Sequence, residues 1–150
     1  SRYYLEQTLG GQVEVDGVAL IDADLFKSVN DTYGHQAGDA ALRTIASVIS
    51  SCVRSSDILI RYGGDEFLLL FPRIPKATFQ LRLEQICKAV SAVSVPDYPE
   101  LRPSVTVGGH PAGGPADVSQ KSTAGAAMSR AGKALHDGFK GILRPNRRQL

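Results

Sequence analysis

The chain reads as an α/β protein of the α+β kind, in which helices flank a mainly antiparallel sheet, because its elements follow the order helix, strand, helices, hairpin, helix, strand, helix. Three observations carry this reading. The stretch from Ile60 to Phe71 joins two apolar, strand-like runs across Gly63-Gly64, the signature of a hairpin and therefore of antiparallel neighbours. Val18-Ala19-Leu20-Ile21 is a continuous apolar run of the kind shown by a strand buried on both faces. Strands and helices do not alternate one for one, as a doubly wound parallel sheet requires.

Size and composition narrow the class. At 150 residues the chain has the length of one domain, spanning 1–150 around one core. Its 43% hydrophobic and 21% charged content is that of an ordinary globular protein, and no apolar run approaches the roughly 20 residues of a membrane span. A net charge of +2 gives no argument for a nucleic-acid partner, although the tail from Arg144 to Arg148 is locally basic. Cys52 and Cys87 stand in helix-like surroundings and read as buried thiols of a reducing cytoplasm, not as a disulfide or a zinc site. With no signal peptide, the sequon Asn30-Asp31-Thr32 is not read as a glycan site. The chain starts at Ser1, inside a helical pattern, and is read as a piece of a longer protein.

Taken in order, Tyr3, Tyr4, Leu5 and Leu9 recur at helical spacing, and Gly10-Gly11 closes a short first helix. The strand through Ile21 follows and ends in Asp22-Ala23-Asp24. Leu25 to Val29 is expected as a single helical turn, and Asn30 to Gly38 as a turn-rich connection. Asp39 is expected to cap the helix marked by Ala41, Leu42, Ile45, Val48, Ile49 and Val53. The hairpin comes next. Its paired glycines suit a two-residue turn with positive φ, and because strand residues alternate in face it is expected to offer a single carboxylate to a site. Pro72 and Pro75 lead into a helix through Phe79, Leu83, Ile86 and Val90. A loop from Pro96 to Pro103 precedes a strand from Ser104 to Val107 that is expected to end at Gly108-Gly109. A polar, Gly- and Pro-rich stretch leads to a last helix at about 122–137, broken by Gly138 and Gly141.

The acids carry the chemistry. A calcium-binding EF-hand loop started at Asp22 needs Gly and Glu where this chain has Lys27 and Tyr33, so that reading fails. A magnesium site remains, because one or two carboxylates suffice for a metal whose other ligands are water and substrate phosphate. Asp22 or Asp24 alone could simply cap the next turn. Two acidic clusters at adjacent strand ends, however, repel unless a cation or a basic partner compensates them. Lys27 can bring an ammonium to phosphate, though a solvated surface lysine is its commoner fate. Asn30 and Asp39 offer the amide and carboxylate that reading a guanine edge needs, but each alone also suits a turn or a cap. His35, His110 and His136 have no metal-binding spacing and receive no role.

These residues closely resemble the GGDEF family of diguanylate cyclases. Arg61-Tyr62-Gly63-Gly64-Asp65-Glu66-Phe67 reproduces the family signature, and the run from Asp22 to Asp39 matches its upstream motif without a gap. The match is strong from about residue 18 to 72, fair in the first nine residues and weak after 104. The resemblance implies a nucleotidyl-cyclase or palm-like fold with a five-stranded central sheet, and an enzyme that joins two GTP molecules into cyclic di-GMP, a bacterial second messenger, with release of pyrophosphate. It implies two Mg²⁺ ions, replaceable by Mn²⁺, bound by Asp22, the Ala23 carbonyl and Asp65. Glu66 would assist either at the metal or in handling the attacking 3′-hydroxyl proton. Asn30 and Asp39 would hold guanine, while Leu25, Phe26 and Lys27 hold the triphosphate. Each domain binds one GTP, so catalysis implies a homodimer. An attached sensory domain is expected outside this segment, and the full-length protein could be membrane-anchored.

Arg54-Ser55-Ser56-Asp57 resembles the family's RxxD inhibitory site for cyclic di-GMP, since Arg forks onto phosphate or guanine and Asp accepts from guanine N–H groups. The C-terminal end departs from the family pattern. Direct alignment sets Phe139 where the family has a triphosphate-binding Lys, and a one-residue insertion restores Lys140 and, four residues on, Arg144. That departure supports a competing reading, a non-catalytic module that senses GTP or cyclic di-GMP. A cyclase acting on one nucleotide is a third.

Overall fold

The computed structural model describes residues 13–61, 63–111 and 143–145. The expected first and last helices and Lys140 lie outside the described residues. The elements are β1 (Val13–Val15), β2 (Gly17–Ala23), α1 (Phe26–Tyr33), α2 (His35–Cys52), β3 (Ile58–Arg61), β4 (Glu66–Phe71), α3 (Lys76–Ala92), β5 (Val105–Pro111) and β6 (Leu143–Pro145). Among the described residues no helix is long and apolar enough to cross a membrane.

The central sheet runs β3-β4-β2-β5 and is antiparallel throughout. It holds four strands among the described residues where five were expected. β1 does not extend it but pairs in parallel with β6 as a separate two-stranded ribbon. The break falls at Asp16, whose N–H donates to the Phe71 carbonyl at 2.8 Å and whose Oδ2 accepts from the Ile74 N–H at 3.0 Å. That double link fastens the start of β2 to the end of β4.

β2 is a central strand between β4 and β5, which accounts for its unbroken apolar run. Ala19, Ile21 and Ala23 share one core with Phe67, Leu69 and Phe71 of β4, Val105 and Val107 of β5, and the inner faces of α2 (Leu42, Ile45, Ile49) and α3 (Phe79, Leu83, Ile86, Val90). Alternation along the strands sends Val18, Leu68 and Leu70 to the opposite face, where they too are buried. α3 buries the four residues that its periodicity selected.

Three boundaries differ from expectation. The stretch expected as turns after Val29 is helical, with only Gly34 between α1 and α2. Gly34 adopts φ 92°, a conformation open to glycine, and turns the corner without a longer loop. Asp39 is therefore no cap and lies inside α2. β5 does not stop at Gly108-Gly109 but runs on to Pro111. A Cβ at Gly109 would lie 2.6 Å from Leu83 Cδ1 and 2.8 Å from Phe79 Cζ, so the glycine there serves close approach of α3 to the sheet instead of ending the strand. The hairpin connection is also wider than a two-residue turn. β3 ends at Arg61 and β4 begins at Glu66, and Gly64 does not take a positive φ.

Candidate active site

The acids meet where β2 and β4 lie side by side. Asp22, near the end of β2, stands opposite Glu66, the first residue of β4. Cross-strand partners share a face, so Glu66 and not Asp65 is the face partner of Asp22. Asp65 precedes β4 and is free of its alternation. Its carbonyl accepts from the Ala23 N–H at 2.9 Å, which ties the connecting loop to the end of β2. As a result Asp22, Asp65 and Glu66 each bring a carboxylate oxygen within 4.8 Å of the others. The expectation of a single carboxylate is corrected, because strand phase does not govern the loop residue.

The loop is built for this convergence. Arg61 Nη2 donates to the Gly64 carbonyl at 2.7 Å, bracing the turn. A Cβ at Gly63 would stand 3.2 Å from Glu66 Oε2, so the missing side chain leaves room for that carboxylate. Burial, followed by the charges of Asp65, Glu66 and Asp24, pushes the Asp22 carboxyl up from 3.8 to about 6. Crowded hard oxygen donors are the set that a small divalent cation suits, since its charge offsets their repulsion.

Asp24 does not join the trio. It accepts from Ser104 Oγ at 2.8 Å and from Thr106 Oγ1, and its N–H donates to the Ser104 carbonyl at 2.9 Å. These partners lie on and just before β5, too far along the chain for sequence spacing to bring them to Asp24. Leu25 follows with φ 53° and its side chain 80% exposed, an uncommon conformation for a branched residue, and its carbonyl accepts the N–H of Val29 at 3.0 Å. Phe26 packs against the core, while Lys27 is exposed at the start of α1. Asn30 is half-buried with an Oδ1 that has no hydrogen-bond partner among the described residues. Asp39 is exposed and lines, with Arg43 and Asp97, an open cavity of about 720 Å³ between α2 and the 93–98 turn. Arg144 lies in β6, its backbone opposite Glu14.

Arg54 and Asp57 form a closed pair in the turn before β3. Asp57 Oδ1 accepts from Arg54 Nη2 at 3.2 Å, Asp57 Oδ2 accepts from the Arg54 N–H at 2.8 Å, and Arg54 Nη2 also donates to the Arg73 carbonyl. β3 separates this turn from the acid loop by roughly 10–15 Å, at about 3.3 Å per strand residue.

Fold and site together define an α/β domain with a cation-suited acidic centre at adjoining strand ends. Residues 3–138 match the family described as "Diguanylate cyclase, GGDEF domain", and the chain belongs to that family. It is 43% identical over 91 residues to diguanylate cyclase DgcM of Escherichia coli, a match covering 61% of this chain and 22% of that protein. The chain thus spans well under a third of the length of that curated relative. Among solved structures it is similar to diguanylate cyclase SiaD of Pseudomonas aeruginosa in complex with its activator SiaC, with TM-score 0.62 and 32% identity, covering 93% of this chain and 50% of that one. The GGDEF domain of DgcB from Caulobacter crescentus in complex with c-di-GMP gives TM-score 0.59 and 27% identity over 96% of this chain and 83% of that one.

Proposed function

We propose that this domain condenses two GTP molecules into cyclic di-GMP with release of pyrophosphate, as a homodimer in which each copy holds one GTP. The observation that carries the reading is the convergence of the Asp22, Asp65 and Glu66 carboxylates within 4.8 Å. Asp22, Asp65 and the Ala23 carbonyl are the residues that would hold Mg²⁺ or Mn²⁺, with Glu66 close enough to share in binding. Two such ions, when bound, stabilise the attacking and leaving oxygens of an in-line displacement.

The chain's own residues supply placement. Asn30 and Asp39 hold guanine, while Lys27, the backbone at Leu25 and Phe26, and Lys140 with Arg144 neutralise the triphosphate. Glu66, in the same carboxylate cluster, would share in holding the metal or take the proton of the attacking 3′-hydroxyl. Cyclic di-GMP inhibits by binding at Arg54 and Asp57, exchanging their mutual hydrogen bonds for contacts to the product. The domain works in the cytoplasm, attached to a sensory domain.

The test is incubation with GTP and Mg²⁺ across protein concentration, with chromatography of the products. Cyclic di-GMP should form with a rate per chain that rises with protein concentration, and Asp65→Asn should abolish it while the fold persists. Binding of GTP with no product at any concentration would favour the competing sensor reading. A cyclic mononucleotide would favour one-nucleotide cyclase chemistry.

A further inference from the structure

Gly38 lies in the first turn of α2 with ordinary helical backbone, so its lack of a side chain serves no special φ. Glycine inside a helix costs about 1 kcal/mol relative to alanine. What the position supplies is space. A Cβ built at Gly38 would lie 1.9 Å from Asn30 Oδ1, 3.0 Å from Asn30 Cγ and 3.2 Å from Phe26 Cε2. The Asn30 amide thus sits in a notch that exists only because residue 38 is glycine. Its Oδ1 is buried there without a partner among the described residues. Unpaired buried acceptors are costly, and a core-filling apolar side chain at position 30 would carry no such cost.

The corner geometry explains why the amide is kept. The Asn30 carbonyl accepts the Gly34 N–H at 2.8 Å, and Gly34 turns the chain so that α2 passes directly beside the Asn30 side chain. The notch therefore holds the amide against the backbone of the residue that precedes Asp39. With Oδ1 turned into the notch, the Asn30 amide meets a ligand through its Nδ2 donor, whereas the Asp39 carboxylate only accepts. Guanine presents N–H donors beside a carbonyl oxygen, and adenine does not present that set.

We propose that Gly38 is a specificity-determining positioning residue, whose missing side chain seats the Asn30 amide next to Asp39 so that both can address one guanine base. The inference rests on the reading that Asn30 and Asp39 hold guanine. A side chain at position 38 acts through Asn30, not on the ligand directly.

The test is a double-mutant cycle read by calorimetric binding of 3′-deoxy-GTP with Mg²⁺, a substrate analogue that lacks the attacking hydroxyl and so needs neither turnover nor a dimer. Gly38→Ala should weaken binding about tenfold, the size of one lost buried hydrogen bond to the base, and should lower the preference over 3′-deoxy-ATP by a similar factor. In an Asn30→Ala background the same change should weaken binding less than about twofold, because the notch is then vacant. No effect of Gly38→Ala, or an equal effect in both backgrounds, would overturn the inference while leaving the guanine reading intact. An Asn30→Ala variant that binds 3′-deoxy-GTP like the wild type would overturn the guanine reading and the inference with it. If Gly38→Ala fails to fold, the double variant decides. Recovery of the Asn30→Ala melting temperature supports the notch, and failure of the double variant to fold overturns it.

Discussion

Replacing Asp22 by Asn should stabilise the metal-free protein. The Asp22 carboxyl is pushed up from 3.8 to about 6 by burial and then by Asp65, Glu66 and Asp24, so in its charged form it opposes folding. A rise from 3.8 to about 6 sets a ceiling of about 3 kcal/mol; because the carboxylate stays in contact with solvent, screening reduces this to about 1 kcal/mol. For a domain of 150 residues that is about 3 °C in melting temperature. The sign follows from proton counting. Below pH 3.8 the group is protonated in both states and exacts no penalty; the penalty grows as pH rises through the window from 3.8 to about 6 and is complete above it. Calorimetric melting in EDTA should thus show Asp22→Asn above the wild type at pH 7.5 and level with it below about pH 4. Added Mg²⁺ should reverse the order, since a cation at ten times its Kd stabilises the wild type by about 1.4 kcal/mol and the variant less. No gain at pH 7.5, or a gain undiminished in acid, would refute a folded-state penalty on the charged Asp22 carboxyl.

Three further outcomes follow from particular contacts. Arg54→Ala removes the guanidinium that holds Asp57 and the Arg73 carbonyl, and it should raise at least tenfold the concentration of added cyclic di-GMP that halves turnover; unchanged inhibition would refute the role given to this pair. Gly109→Ala sets a Cβ 2.6 Å from Leu83 Cδ1, so urea denaturation should show a loss of about 1–3 kcal/mol, and a neutral result would mean that α3 can shift away at little cost. Leu25 is exposed and held at φ 53°, a region asparagine tolerates better. Leu25→Asn should therefore gain about 0.5–1 kcal/mol, and a lower denaturation midpoint would contradict the strain.

Local pattern determined much of this protein without help from the fold. The apolar periodicity of α3 picked out Phe79, Leu83, Ile86 and Val90, and the unbroken run in β2 marked a strand enclosed on both sides, because burial imposes those patterns on any chain. The motifs around Asp22 and Gly63 to Glu66 pointed to the acids, since the chemistry depends on residue type and short spacing. What sequence left open was decided by register and by space. Only the pairing of β2 with β4 sets Asp22 against Glu66, and only the loop path lets Asp65 escape strand alternation and bring a third oxygen within 4.8 Å. Asp24 similarly finds Ser104 and Thr106 at the start of β5, a contact that no local spacing encodes. The glycines divide along the same line. Gly34 could be read as a turn former from its neighbours, whereas Gly38 and Gly109 are explained solely by what packs against their missing side chains, a property of two chain segments brought together and of neither alone.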